Sequence, residues 1–210
     1  MNEQKLNFPD FSTVKMDENN PKWEQATARK VKIYKKDYDL RTPFERDAHR
    51  ILHSNGYRRL KNKTQVFFAP HNDHICTRIE HVTHVASVAE TIAKFLNLNL
   101  DLVKAIALGH DIGHAPFGHQ GEYILRDIAK EHELNDFWHE RNSLHFIDEI
   151  ETLPDYEGFQ QNLDLTYAVR DGIVCHCGEV DEKSLKPRNE AIDLNDVKKG
   201  GKQGAYTYEG

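Results

Sequence analysis

Thirteen consecutive residues, His110-Asp111-Ile112-Gly113-His114-Ala115-Pro116-Phe117-Gly118-His119-Gln120-Gly121-Glu122, hold three histidines, two acids and three glycines. The adjacent His110-Asp111 pair offers an imidazole nitrogen and a carboxylate oxygen. These donors suit Fe, Mn, Ni, Zn or Mg better than a cation that prefers thiolates. His81 offers a third donor, 29 residues earlier and one turn after Arg78. Neighbours on a helix point about 100° apart, so His110 and Asp111 reach one ion only at a fraying helix end, which Gly113 supplies. Taken singly, His81 reads as a core-facing histidine and Asp111 as a surface acid. Taken with the residues around them, His81, His110 and Asp111 read as ligands of a divalent metal ion. His119 and Glu122 stand three apart where a helix is expected to start, so they share a face. An imidazole that titrates near neutrality, beside a carboxylate that fixes its tautomer, is a general acid–base pair.

The elements that must position these residues are helices. Thr42-Pro43-Phe44-Glu45 writes a helix start, with Thr as N-cap, Pro in the first turn and Glu three residues after the cap. That helix is expected to run to Ser54 and to end at Asn55-Gly56. An extended segment is expected over residues 63–68, and a loop over 69–73. Residues 77–97 predict an amphipathic helix through Ile79, Val82, Val85, Ala86, Ala89, Ile92, Ala93 and Leu96. Asp101 is expected to cap a buried helix that reaches Gly109. A third helix is expected from Phe117 to His132. Two more follow at 139–151, amphipathic through Leu144, Ile147 and Ile150, and at 163–177. His81 and His110 then meet if the helices carrying them are antiparallel, joined by the short 97–100 connection.

Composition narrows the classes. With 210 residues, 38% hydrophobic and 30% charged, the chain reads as a helix-rich globular domain. No apolar run nears the roughly 20 residues of a membrane span, and the polar N-terminus lacks the apolar stretch of a signal peptide. Three cysteines make no disulfide framework, so a cytoplasmic location is expected. A net charge of −6 argues against a nucleic-acid coat. Most of the 13 histidines fall between residues 49 and 145; His49, His53, His71 and His74 read as surface or structural, and His114 as a neighbour of the metal ligands. Cys175-His176-Cys177 does not make a zinc site: its thiols are two apart and a helix would splay them. The glycines at 113, 118 and 121 form neither a P-loop nor a dinucleotide turn. Residues 1–40 read as a lead-in, 41–185 as a helical core, and 186–210 as a loop leading into a further element.

Thr77-Arg78-Ile79-Glu80-His81 and His110-Asp111-Ile112-Gly113-His114 resemble the HD-domain metal-dependent phosphohydrolases. Four further runs resemble their deoxynucleoside triphosphate triphosphohydrolase (dGTPase-like) branch: Arg41-Thr42-Pro43-Phe44-Glu45-Arg46-Asp47, Arg58-Arg59-Leu60, Lys63-Thr64-Gln65-Val66-Phe67 and Pro116-Phe117-Gly118-His119-Gln120-Gly121-Glu122. The likeness spans roughly residues 41–180. It implies an all-α HD-domain bundle around a single metal site, with His81, His110 and Asp111 as three of its four protein ligands. The family's fourth ligand is an Asp on a later helix, expected beyond residue 210, so the chain reads as an N-terminal portion; Asp164 and Asp171 stand in a different setting. The resemblance also implies hydrolysis of dNTPs to deoxynucleoside and inorganic triphosphate. His119 and Glu122 would be catalytic beside the metal, and His139, in Phe137-Trp138-His139-Glu140, would protonate the leaving 5′ oxygen. Arg78 would bind phosphate; Arg59, Lys63 and Gln65 are further candidates for the triphosphate or sugar. A homo-oligomer is a possibility the family raises. Two other readings stand beside this one: an HD nucleotidase or phosphodiesterase, and an inactive nucleotide-binding module.

Overall fold

A computed structural model describes residues 10–31, 33, 39–66, 72, 74–176, 186–197 and 204–210. Lys32, Phe67, Phe68, most of the 69–73 loop (His71 included), Cys177 and the polar run 198–203 lie outside the described residues. The described residues form eight α-helices and one two-stranded ribbon, so the architecture is all-α. Among them no helix is long and apolar enough to cross a membrane.

Helix α1 (Trp23–Ala26) belongs to the stretch read as a lead-in, yet Met16, Ala26 and Ile33 of that stretch are buried in the core. Helix α2 (Pro43–His53) starts as its sequence dictates: the Thr42 hydroxyl accepts from the Glu45 amide at 3.0 Å. Its inner face carries Phe44, Ala48 and Ile51. Asn55-Gly56 is not the helix stop that was expected. The chain breaks at Ser54, in an extended conformation, and Asn55-Gly56 opens α3 (Asn55–Arg59). The Glu151 carboxylate decides this: it accepts from the Asn55 amide at 2.9 Å and the Gly56 amide at 2.7 Å, satisfying donors that a helix start leaves bare.

Helix α4 (Arg78–Leu96) starts where Glu80 reaches back to the Thr77 amide and hydroxyl, and ends at Asn97 in the left-handed region. Val82, Ala86 and Ala93 form its buried stripe, and Ile92 is exposed. At 100° per residue Ile92 stands about 80° from Val82, the nearest residue of that stripe. Helix α5 (Leu100–Gly109) is capped by Asn99, whose side chain accepts from the Leu102 amide at 3.1 Å. Asp101 accepts instead from the Thr42 hydroxyl at 2.8 Å and is not the cap. As its all-round apolar sequence demands, α5 lies in the middle, packed against α4, α2 and α8.

Helix α6 (Gly118–Glu131) opens with two residues at φ 63°, Phe117 as its N-cap and Gly118 as its first residue. Helix α7 (His139–His145) runs into a π-helical turn (Phe146–Ile150); Leu144 and Ile147 are buried, while Ile150 faces solvent. The ribbon β1 (Leu153–Pro154) and β2 (Gln160–Gln161) leads toward α8 (Tyr167–Cys175). Helix α8 begins four residues later than expected because Asp47 holds Thr166 extended, accepting from its amide at 2.8 Å and its hydroxyl at 2.6 Å. Beyond it, a 3-10 turn (Leu194–Asp196) and Tyr206 fold back on α8: the Tyr206 amide donates to Asp171 at 2.6 Å, and its ring stands edge-on to Tyr167.

Candidate metal centre

Asp111 is the hub. It lies just past the end of α5, is almost wholly buried, and faces His81, which sits in the first turn of α4. The antiparallel pairing of α4 and α5 brings the two ends together. The turn from His110 to His114 is clamped by α7. The Gly113 amide donates to Ser143 Oγ at 3.0 Å, Ser143 Oγ donates to His110 O at 2.8 Å, and Asn142 Nδ2 donates to Gly113 O at 2.6 Å. A Cβ on Gly113 would lie 2.2 Å from the Ser143 nitrogen, so only glycine permits this contact.

The three ligands read from the sequence converge. Asp111 Oδ2 is 3.4 Å from His110 Nε2 and 3.8 Å from His81 Nε2, and the three donor atoms lie within 4.8 Å of one another. His110 Nδ1 lies 2.7 Å from Ala107 O, which leaves Nε2 for the site. Burial would raise the Asp111 carboxyl, but His110, Arg78 and His114 hold it well below the usual carboxylate range. Burial lowers the His81 imidazole, against the pull of Asp111. Ionised carboxylate and neutral imidazole are the forms a divalent cation requires, so the donor set fits one.

The polar residues expected at the site fall at graded distances from it. Arg78 is buried, with its guanidinium 3.0 Å from Asp111 Oδ2. That pairing makes it a holder of the carboxylate as well as a phosphate candidate. Lys63 is half-buried and donates to His114 O at 2.7 Å and Ile112 O at 3.3 Å; burial lowers its ammonium to about 8. Gln65 lies against Arg78 through its backbone carbonyl at 3.4 Å. Arg59 is exposed at the end of α3, near enough for its charge to act on Lys63.

His119 and Glu122 do share a face, but at 3.7 Å they are not hydrogen-bonded. Glu122 is buried and binds Arg126 on its own helix. Its other oxygen lies 3.0 Å from His139 Nδ1. Spacing alone points to His119 as its partner; the tertiary fold adds His139, from the start of α7, at hydrogen-bonding distance. His139 Nε2 is then aimed at Asp111 Oδ1, 3.9 Å away. His114 is buried and stacks on His139 with ring centroids 4.6 Å apart. His176, at the end of α8, carries no site signal in its Cys175-His176-Cys177 setting, yet its ring lies 5.1 Å from that of His110 and 5.7 Å from that of His139. No local spacing announces it. Asp164 and Asp171 are committed elsewhere, to Arg50 and to Arg188.

An HD-domain family model matches residues 78–198, more than half of the chain, including His81, His110 and Asp111. The chain belongs to the HD-domain family. The deoxyguanosinetriphosphate triphosphohydrolase-like protein of Desulfatibacillum aliphaticivorans is 48% identical over 65% of this chain and 36% of its own length. The like-named protein of Caldanaerobacter subterraneus is 48% identical over 66% of this chain and 38% of its own length. That of Caulobacter sp. (strain K31) is 42% identical over 83% and 43%. The chain thus spans roughly two fifths of the length of these relatives.

Proposed function

We propose that this HD domain serves the metal-dependent hydrolysis of a deoxynucleoside triphosphate to deoxynucleoside and inorganic triphosphate. One observation carries the reading: on one buried carboxylate, Asp111, there converge two imidazoles, an arginine, and a histidine backed by Glu122. The names of the similar proteins support the choice of substrate.

In this reading His81, His110 and Asp111 would hold a divalent cation, whose Lewis acidity would be supplied to the phosphoryl group and the attacking water. Arg78 and Lys63 bind phosphate oxygens, with Gln65 and Arg59 as further candidates for the triphosphate or sugar; neutralising the polyanion is most of what such a transfer asks of a protein. His119, exposed above Glu122, accepts a proton from the attacking water. His139, its Nδ1 fixed by Glu122, donates from Nε2 to the 5′ oxygen as the bond from that oxygen to the α-phosphorus breaks. The products are the deoxynucleoside and intact triphosphate.

Incubation of the protein with each dNTP and Mn²⁺ or Mg²⁺ tests this. Inorganic triphosphate is the expected product. Release of pyrophosphate or monophosphate would favour a phosphodiesterase or nucleotidase and overturn the proposal.

A further inference from the structure

Arg126 stands one turn after Glu122 on α6 and holds two different parts of the site. Its Nη2 donates to Glu122 Oε1, and its Nε donates to Phe137 O at 3.0 Å. The guanidinium carbon lies 5.2 Å from the centroid of the Tyr123 ring, a further contact that steadies the group. On a solvated helix an ion pair at this spacing contributes little. Here one partner, Glu122, is buried, and its second oxygen is the one that meets His139 Nδ1 at 3.0 Å.

The two arms of Arg126 end on the two sides of that one contact. The Glu122 carboxylate comes from α6. His139 comes from the chain that enters α7 through Phe137 and the buried, extended Trp138. A guanidinium is planar and its donors are fixed in a fork, so bonds to Glu122 Oε1 and Phe137 O together set where carboxylate and imidazole stand. A second imidazole competes for the same carboxylate oxygen: His119 Nδ1 lies 3.7 Å from Glu122 Oε2. With Oε1 held by Arg126, the carboxylate is turned to His139 rather than to His119. We infer that Arg126 is a positioning residue, acting through Glu122 and the Phe137 carbonyl to fix the His139 imidazole. No local spacing points to it, since one of its two acceptors is a carbonyl 11 residues downstream.

The consequence for turnover rests on the function proposed above. A general acid helps only while its proton points at the leaving oxygen. A misaligned imidazole forfeits part of the about 10²–10⁴-fold that such a group contributes, so Arg126→Gln is expected to lower kcat by about tenfold. KM is expected to stay unchanged, because both arms of Arg126 are spent on protein groups.

The imidazole itself is observed without substrate. In nuclear magnetic resonance of the full chain with isotope-labelled histidine, and with Zn²⁺ as a diamagnetic cation, the Nδ1 proton of His139 is expected downfield and slow to exchange with water. Its loss in His139→Gln assigns it. In Arg126→Gln its exchange is expected to speed up by about tenfold, the equivalent of one lost hydrogen bond. Arg126→Lys keeps the charge but cannot span both acceptors, and is expected to behave like Arg126→Gln. An unchanged His139 proton in Arg126→Gln would overturn the inference. So would full recovery in Arg126→Lys, which would reduce Arg126 to a counter-charge. The Arg126 side chain is 24% exposed, so replacing it opens no buried cavity; if Arg126→Gln does not fold, Arg126→Lys decides alone. A chain that cleaves no dNTP yet shows the expected proton signals would sink the proposed function and support the positioning role.

Discussion

At the scale of single residues, Asp111 has the most to lose. It is the shared donor of the proposed metal set and the carboxylate partner of the buried Arg78 guanidinium. Asp111→Ala is expected to abolish bound metal, and elemental analysis of the purified variant checks it; unchanged metal content would refute the ligand assignment. The same change leaves the arginine charge buried, an effect worth about 3–5 kcal/mol in comparable buried pairs, so Asp111→Asn is the companion variant for separating folding from metal binding. His119 differs in kind. Its side chain is 64% exposed and makes no close hydrogen bond to Glu122. His119→Ala is expected to retain metal and stability while turnover falls by about 10²–10⁴-fold, the usual contribution of a general acid or base. Wild-type rates in that variant would remove it from the proton pathway.

At the scale of elements, the site is held by a contact between a turn and a helix. The 110–114 turn presses so closely on α7 that Gly113, Asn142 and Ser143 exchange three hydrogen bonds with it or through it. Gly113→Ala drives a Cβ into the Ser143 backbone. The backbone must move, and overpacking of this sort costs about 1–3 kcal/mol; denaturant unfolding measures it, and an unchanged midpoint would contradict the close approach. The displacement also shifts Asp111 relative to His81, so metal affinity is expected to fall along with stability. Ser143→Ala keeps the approach but strips a partner from the buried Gly113 amide, with an expected loss of about 1–3 kcal/mol.

At the scale of the molecule, segments far apart in sequence close over α8. Tyr167 ties the helix to residue 192 twice: its hydroxyl donates to Ile192 O at 3.1 Å and accepts from the Ile192 amide at 2.9 Å. Burial raises the Tyr167 phenol above its ordinary value. A group whose folded pKa is raised contributes stability that is fully present below its unfolded pKa, about 10 for tyrosine, and is lost as pH rises through the folded pKa. The wild type should therefore lose part of its stability above about pH 10. Tyr167→Phe is expected to be less stable at neutral pH by about 1 kcal/mol and to lack that alkaline component. Thermal melts from pH 8 to 11 for both proteins supply the test; parallel curves would count against a buried, doubly bonded phenol.

The helical class of the structure, and the meeting of three donor residues, follow from local pattern in the chain. Helical periodicity and the cap at Thr42 are local properties of backbone torsion and side-chain reach, so α2, α4, α5 and α6 were legible with boundaries close to those found. The convergence of His81, His110 and Asp111 was legible for a related reason: two antiparallel helices with a short connection leave little freedom in where those residues meet. What tertiary structure decided was everything that depends on a third or fourth helix arriving. Glu151 turned an expected helix stop at Asn55-Gly56 into a helix start. Helix α7 gave Glu122 to His139 rather than to the nearer His119 in sequence, and α8 brought His176 to Asp111. No period or spacing encodes such meetings, because the separation of residues 111, 139 and 176 is set by how buried faces pack, and packing is a property of the whole core.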